Sequence, residues 1–347
     1  MRALTVEPGK AHSIALEDIP PPAADGAMLA IRALALGVCG TDRDIIAGGY
    51  GWAPPGKQRL VLGHESLGVV ERAPAGSGFM TGDHVVGIVR RPDPVPCPAC
   101  AVGEWDMCRN GQYTERGIKE IDGYGAEHYA LKPEFAVKVD KALGLFGVLL
   151  EPASVVAKAW DHVNRIGRRS RSWAPRTALI TGAGPVGFLA ALMGKQQDLE
   201  VHIFDRATTG PKPKLAKALG AAYHVGDFGG LRPDVVIECT GAGQVVLEAV
   251  RAAAIGGIAC LAGISSGGHR FSLDIAAMNK ELVLENDLVF GSVNANRAHY
   301  EAAAQALAKA DKEWLAQLIT RRVPLDRWRE AFDNQAGDIK VVIDFTA

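Results

Sequence analysis

Along the first 150 residues the apolar positions come in short runs, each closed by Pro, Gly or a charged side chain. Leu4 to Val6, Ala27 to Ala35, Arg59 to Leu62 and Leu67 to Glu71 are of this kind, and Gly82-Asp83-His84-Val85-Val86-Gly87 reads as a turn into another strand. Ala126 to Ala130 is strand-like again, and Pro20-Pro21-Pro22 is a rigid connector. Short strands with closely spaced turn signals predict a compact barrel. From Ala153 to Val163 the apolar period becomes helical, and a basic loop, 165–176, follows. Apolar runs then alternate with helical segments. Ala178 to Thr181, Glu200 to Phe204, Pro233 to Gly241 and Gly256 to Ile264 read as buried strands, with helices from Phe188 onward and from Lys214 to Leu219. That alternation predicts a doubly wound parallel sheet whose ligand sits at the C-terminal ends of its strands. Leu288 to Asn294 is a last strand entering a loop, Ala298 to Ala310 an Ala-rich helix, and Val341 to Phe345 a closing strand that suits the β-rich part.

The turn after Thr181 gives the parallel region its chemistry. Gly182, Gly184 and Gly187 form G-x-G-x-x-G between a strand and a helix. The first glycine permits the tight turn, the second lets a pyrophosphate approach the backbone, and the third lets helix and strand pack closely. The helix N-terminus then offers free N–H groups and partial positive charge to phosphates. The second strand ends in Asp205, 18 residues past Gly187, where a dinucleotide fold places the acid that holds the adenosine ribose. Asp205 favours NAD, because a carboxylate repels a 2′-phosphate, whereas Arg206 and the lysines that follow suit NADP.

At 347 residues the chain is too long for one ordinary core, so two domains are expected. A net charge of −1 with mixed signs argues against nucleic acid or an anionic membrane as partner. No signal-peptide layout opens the chain, and no apolar run reads as long enough to span a bilayer. Six cysteines in this length are not a disulfide framework. Three of them cluster, which points to a metal in a reducing compartment, with the cytoplasm expected.

Cys39 lies where a strand gives way to a turn, in Gly37-Val38-Cys39-Gly40-Thr41-Asp42. Alone it reads as a buried structural cysteine. His64-Glu65, after Leu62-Gly63, adds an imidazole and a carboxylate, and zinc accepts all three ligand types while catalytic sites keep one position open. Glu151 is a lone acid in the apolar run Val148 to Ala153; a metal or its water would satisfy it, and a carboxylate at a helix N-terminus is the alternative. Cys97, Cys100 and Cys108 have the spacing C-x₂-C-x₇-C in a proline-rich segment expected to lack regular structure. A structural zinc usually takes four ligands; Asp93 is the obvious fourth and Asp106 a second option. Glu115 reads as a loop acid on a barrel rim. Cys239 and Cys260 lie inside predicted strands and read as small core residues.

In this order the motifs G-V-C-G-T-D (37–42), L-G-H-E (62–65), R-R-P with the cysteine loop (90–108), Y-T-E-R-G-I (113–118), L-L-E-P (149–152), G-A-G-P-V-G (182–187) and G-S-V-N (291–294) resemble the zinc-dependent medium-chain dehydrogenases. The chain looks most like their glucose (aldose) dehydrogenase branch. The resemblance implies an α/β protein: a GroES-like β-barrel catalytic domain over 1–152 and 290–347, a Rossmann domain over 153–289, and a cleft at their junction. It implies a catalytic zinc on Cys39 and His64 with Glu65 and Glu151, either of them inner-sphere, and Thr41 as the hydroxyl that passes the substrate proton outward. Glu115 and Asn294 would bind sugar hydroxyls. Cofactor contacts are expected at Gly182, Gly184, Pro185, Val186, Gly187, Asp205, Arg206, Thr240, Gly263, Ile264, Ser292 and Asn294. The activity implied is oxidation of an aldose at C1 by NAD or NADP, giving the lactone, in a homotetramer or a homodimer. A polyol or other secondary-alcohol dehydrogenase is the alternative enzyme, and a non-catalytic dinucleotide-binding protein the alternative from another class. Three departures from the family pattern stand out: the fourth lobe cysteine is absent, Asp44 replaces a relay histidine, and Val89 sits where some sugar enzymes carry a polar residue.

Overall fold

The computed structural model describes residues 1–23, 25–228, 230–265 and 272–347. They form two units: Met1–Ser154 with Asn294–Lys312 and Ile319–Ala347, and Val155–Val293 with Glu313–Leu318.

The first unit is built on the strand Leu29–Val38, whose Leu29, Ile31, Ala33 and Ala35 alternate inward. It pairs antiparallel with Glu65–Arg72, His128–Leu131 and Lys340–Asp344. Its sheet has seven strands among the described residues. Register is what assembles the site. Gly37 lies opposite Glu65, and Val38 opposite Val341. The residues just beyond those pairs (Cys39, His64 and Lys340) therefore emerge at one end of the sheet. Gly63, at φ 95°, makes the turn that brings His64 in.

The second unit is a six-stranded sheet with every pairing parallel. Its order places Thr177–Thr181 in the middle, with Glu200–Phe204 and Ala222–His224 to one side and Val235–Glu238, Ile258–Leu261 and Leu288–Gly291 to the other. Counted along the chain this is 3-2-1-4-5-6, the dinucleotide-binding order, and the reversal falls next to the strand that leads into the glycine turn.

Several expectations need correction. The cysteine segment is not irregular: it holds the strand Arg90–Arg91, the short helix Pro98–Ala101 and a 3-10 turn, Trp105–Met107. Pro98 sits at the first helical position, where its missing N–H costs nothing. The helix after the glycine turn starts at Pro185, not Phe188, for the same reason. Residue 290 lies within the strand Leu288–Gly291, which belongs to the parallel sheet, so the first unit resumes only at Asn294. Cys239 lies one residue past its strand and is half-buried, whereas Cys260 is buried within one. The helical stretch Lys141–Gly167 is long and apolar enough to span a bilayer, but it is mostly buried and its Gly144 is non-helical. It is a core element.

Candidate active site and nucleotide site

Cys39 caps the helix Gly40–Ile46, and its backbone N–H donates to Asp42 Oδ2 at 2.9 Å. The other carboxylate oxygen of Asp42 lies 3.3 Å from His64 Nδ1. Such an outer carboxylate fixes the imidazole and leaves Nε2 for a metal. Ligand atoms of Cys39, His64 and Glu65 lie within 4.8 Å of one another, with His64 and Glu65 buried. Thr41 Oγ1 is 3.9 Å from Cys39 Sγ. Glu151 is buried in the same unit, at the head of the helix Leu150–Gly167. Burial drives its pKa up to about 7, His64 and Lys340 oppose the rise, and Glu65 adds to it. A buried thiol, imidazole and two carboxylates fit a divalent metal by their donor chemistry, with His64 Nδ1 turned to Asp42 Oδ1 and Glu65 Oε2 turned to Lys340 Nζ.

Glu115 is not a rim acid in a loop. It lies in the strand Thr114–Arg116 and is buried. Its Oε1 accepts from Asn294 Nδ2 at 2.6 Å and from Arg90 Nε at 3.0 Å. Arg90 Nη1 donates onward to Asp106 O, and its guanidinium stacks on Tyr113. The two predicted sugar-binding residues are thus joined to each other. Asn294 is held at φ 61° by its own Oδ1, which accepts from Ala295 N.

The sulfurs of Cys97, Cys100 and Cys108 also lie within 4.8 Å of one another. Cys97 accepts backbone N–H bonds from Arg109 at 3.3 Å and Cys100 at 3.5 Å, and these push its thiol down to about 6. Donors aimed at a sulfur stabilise the thiolate a metal needs. Asp93 is buried beside this cluster without being part of it: Oδ1 accepts from Val95 N, and Oδ2 has no hydrogen-bond partner among the described residues. Asp106, the second option, accepts from Asn296 Nδ2 instead.

In the second unit the first turn of the helix Pro185–Lys195 carries no side-chain cap, so its N–H groups are open to an anion. A Cβ on Gly184 would meet nothing within 4 Å, although one on Gly187 would strike Gly182 O. Asp205 is buried and accepts from Ala183 N at 2.8 Å, Ala207 N at 3.0 Å and Lys212 Nζ at 3.1 Å. Burial alone would raise its pKa, but these donors outweigh burial and hold it below the usual carboxylate range. Arg206 is exposed.

Sequence reasoning missed Glu238. It is fully buried and accepts from Thr181 Oγ1, Thr240 N and Gly241 N, while its backbone oxygen accepts from Gly263 N. Thr240 and Gly263 are thereby fixed on either side of it. Ile264 is exposed, and Ser292 is buried with its N–H donating to Leu261 O. Asp42 and Lys340 were missed as well. Asp42 closes a capping box whose cap is a cysteine rather than Ser or Thr, so its spacing carried no recognisable signal. Glu238 and Lys340 sit in apolar strands, where only the tertiary structure shows what a charge faces.

Residues 144–345 match the family described as glucose dehydrogenase C-terminus, and residues 25–141 the alcohol dehydrogenase GroES-like domain. A glucose 1-dehydrogenase of Methanocella arvoryzae is 37% identical over 361 aligned positions, covering 100% of both chains. Glucose 1-dehydrogenase 2 of Vulcanisaeta moutnovskia is 38% identical, covering 99% of each. Among solved structures, Haloferax mediterranei glucose dehydrogenase in complex with NADP, Zn and gluconolactone superposes with a TM-score of 0.91 at 31% identity, covering 100% of both chains. With paired motifs, register and fold in agreement, the chain belongs to the glucose dehydrogenase branch of the zinc-dependent medium-chain dehydrogenases.

Proposed function

We propose that the protein oxidises an aldose, glucose or a related sugar, at C1, giving the lactone and passing a hydride to NAD or NADP. The observation that carries this reading is the convergence of Cys39, His64 and Glu65, with Glu151, in the unit that also joins Glu115 to Asn294. Cys39 and His64, with Glu65 or Glu151, would hold a zinc, which would supply Lewis-acid polarisation of a substrate oxygen. Thr41 accepts the C1 hydroxyl proton and passes it outward. Glu115 and Asn294 orient the sugar through their remaining hydrogen-bonding capacity, and Arg90 holds the Glu115 carboxylate in place through its guanidinium contacts. A site lined with such groups penalises alcohols that leave them unpaired. The three lobe thiols, with Asp93 as fourth ligand, hold a structural zinc; the unpartnered Asp93 Oδ2 supports this.

The dinucleotide binds at the Gly182–Gly187 turn and supplies the hydride acceptor. Pro185 and Val186 present the helix N-terminus to its phosphates, and Thr240, Gly263, Ile264 and Ser292 of the same unit are offered to its nicotinamide half. The charge of Asp205 is already compensated by Lys212 and two backbone N–H groups, and Arg206 is free to meet a 2′-phosphate. Use of both cofactors follows.

The second unit exposes Ile264, Ile275, Val283, Leu284 and Val289, the last within the strand Leu288–Gly291, which has one pairing partner among the described residues. An apolar surface next to an open strand edge supports a homo-oligomer, tetramer or dimer, pairing these strands across subunits. The free thiols suit the cytoplasm.

Initial rates with aldoses, polyols and simple alcohols, each with NAD and NADP, test the reading. Aldoses should be turned over fastest. Faster turnover of ethanol or a polyol would remove the sugar roles of Glu115 and Asn294.

A further inference from the structure

The first unit holds a cavity of about 750 Å³ that Cys39, His64 and Glu115 do not line, and all of its lining residues belong to Met1–Ser154. That volume is in the range of small-molecule sites. The walls are largely apolar, with Pro20, Pro21, Pro22, Met28 and Ile121 among them. The proline run makes one wall stiff, because each pyrrolidine ring fixes its φ.

The polar feature of the cavity is Arg116. Glu115 and Arg116 are neighbours in the strand Thr114–Arg116, and strand alternation sends them to opposite faces. Glu115 meets Arg90 and Asn294, whereas Arg116 lines the cavity. Its guanidinium donates to Asp122 O at 3.0 Å and to Ala130 O at 2.9 Å, and lies 5.2 Å from the Tyr124 ring centroid. Its enclosed Nε has no partner, and among the described residues no carboxylate pairs with it. The acids that share the cavity are engaged or exposed: Asp122 pairs with Lys57 at 2.7 Å, Glu17 pairs with Arg59 at 2.9 Å, and Glu120 is exposed. Arg91, a like charge, reaches Tyr124 Oη at 3.3 Å. Burial, with Arg91 adding to it, lowers the pKa of Arg116, as befits a cation short of negative charge. Such a cation is costly in apolar surroundings until an anion meets it. A guanidinium matches a carboxylate with paired hydrogen bonds.

We propose that this cavity is a binding site for a small carboxylate with an apolar body, its charge met by Arg116 and its hydrocarbon laid along the proline wall. The site is separate from the metal and nucleotide clusters and does not depend on the reaction assigned to them.

Octanoate serves as the probe, titrated into the full-length protein and followed by calorimetry and saturation-transfer NMR. One saturable site per chain is expected, and neither NADP nor glucose should displace the probe. Octanol, with the same chain and no charge, should bind about tenfold more weakly. Arg116→Met should weaken octanoate by about tenfold and leave octanol unchanged. No saturable octanoate binding, equal binding of octanoate and octanol, or equal affinity in Arg116→Met would overturn the proposal. Displacement by NADP or glucose would do the same, because it places the probe in the reaction's own sites. Should Arg116→Met fail to fold, Met28→Trp decides, since it narrows the cavity at an apolar wall and leaves Arg116 in place. Octanoate binding weakened about tenfold there supports the site, and unchanged affinity refutes it. A smaller assembly for Met28→Trp in sedimentation, with no octanoate bound by the native protein, would make the cavity a contact between copies and overturn the proposal.

Discussion

Single side chains set the electrostatics of both units. Asp205 is the clearest case for a pH effect. Its pKa is lowered in the folded protein, so the unfolded chain binds more protons near and below 3.8. Its stabilising contribution is therefore present above that value and lost as pH falls through the folded pKa. Asp205→Asn should flatten acid-induced unfolding in that window, and melting curves from pH 3 to 6 check it. The same variant should raise the NADP-to-NAD rate ratio, because it removes the remaining repulsion toward a 2′-phosphate. Glu238 makes a different prediction. Four donors converge on its carboxylate (the Thr181 and Thr240 hydroxyls and the Thr240 and Gly241 N–H groups), so Glu238→Gln turns an –NH₂ toward at least one of them. The loss should be about 1–3 kcal/mol in thermal or urea unfolding, with weaker nucleotide binding because Thr240 and Gly263 are released.

At the scale of elements, the glycine turn separates a ligand requirement from a packing requirement. Gly184→Ala places its Cβ in open space, so the fold should melt as the native protein does. A methyl there meets only the pyrophosphate, and dinucleotide affinity should fall by about ten- to a hundredfold. Gly187→Ala drives a methyl into Gly182 O and should cost about 1–3 kcal/mol of stability before any ligand is added. Parallel melts and fluorescence titrations of the two variants check the distinction; equal destabilisation would refute it. Most elements were legible. Glu200–Phe204 ends where its apolar run ends, and the strand Lys340–Asp344 is one residue off the run 341–345. The helix Gly40–Ile46 was not legible, because its cap is a cysteine rather than Ser, Thr, Asn or Asp. The cysteine segment was misread because proline was taken as a breaker, whereas Pro98 starts a helix.

At the scale of the molecule, each unit has its own core and its own chemistry, so removing one chemistry should spare the other. Cys39→Ala should abolish aldose oxidation and one metal equivalent while leaving nucleotide affinity intact, as read by metal analysis and titration. Cys108→Ser should release the other equivalent and make 92–110 sensitive to protease, with a much smaller loss of turnover than Cys39→Ala. Retained turnover in Cys39→Ala would sink the catalytic reading of that thiol.

Legible in the chain alone were the glycine turn, the parallel sheet around it, the barrel-like strands and the residue types of the two candidate metal clusters. These are local properties: period, glycine placement and ligand spacing act within a few residues of one another. The tertiary structure alone decided what faces what. Register across the sheet put Gly37 against Glu65 and brought Lys340 to the same end of the sheet. It buried Glu115 against Arg90 and Asn294, and it covered Asp205 with three donors. A charge in a sequence carries no record of its partner when that partner lies about 180 or 275 residues away, because the contact exists only once the strands have paired.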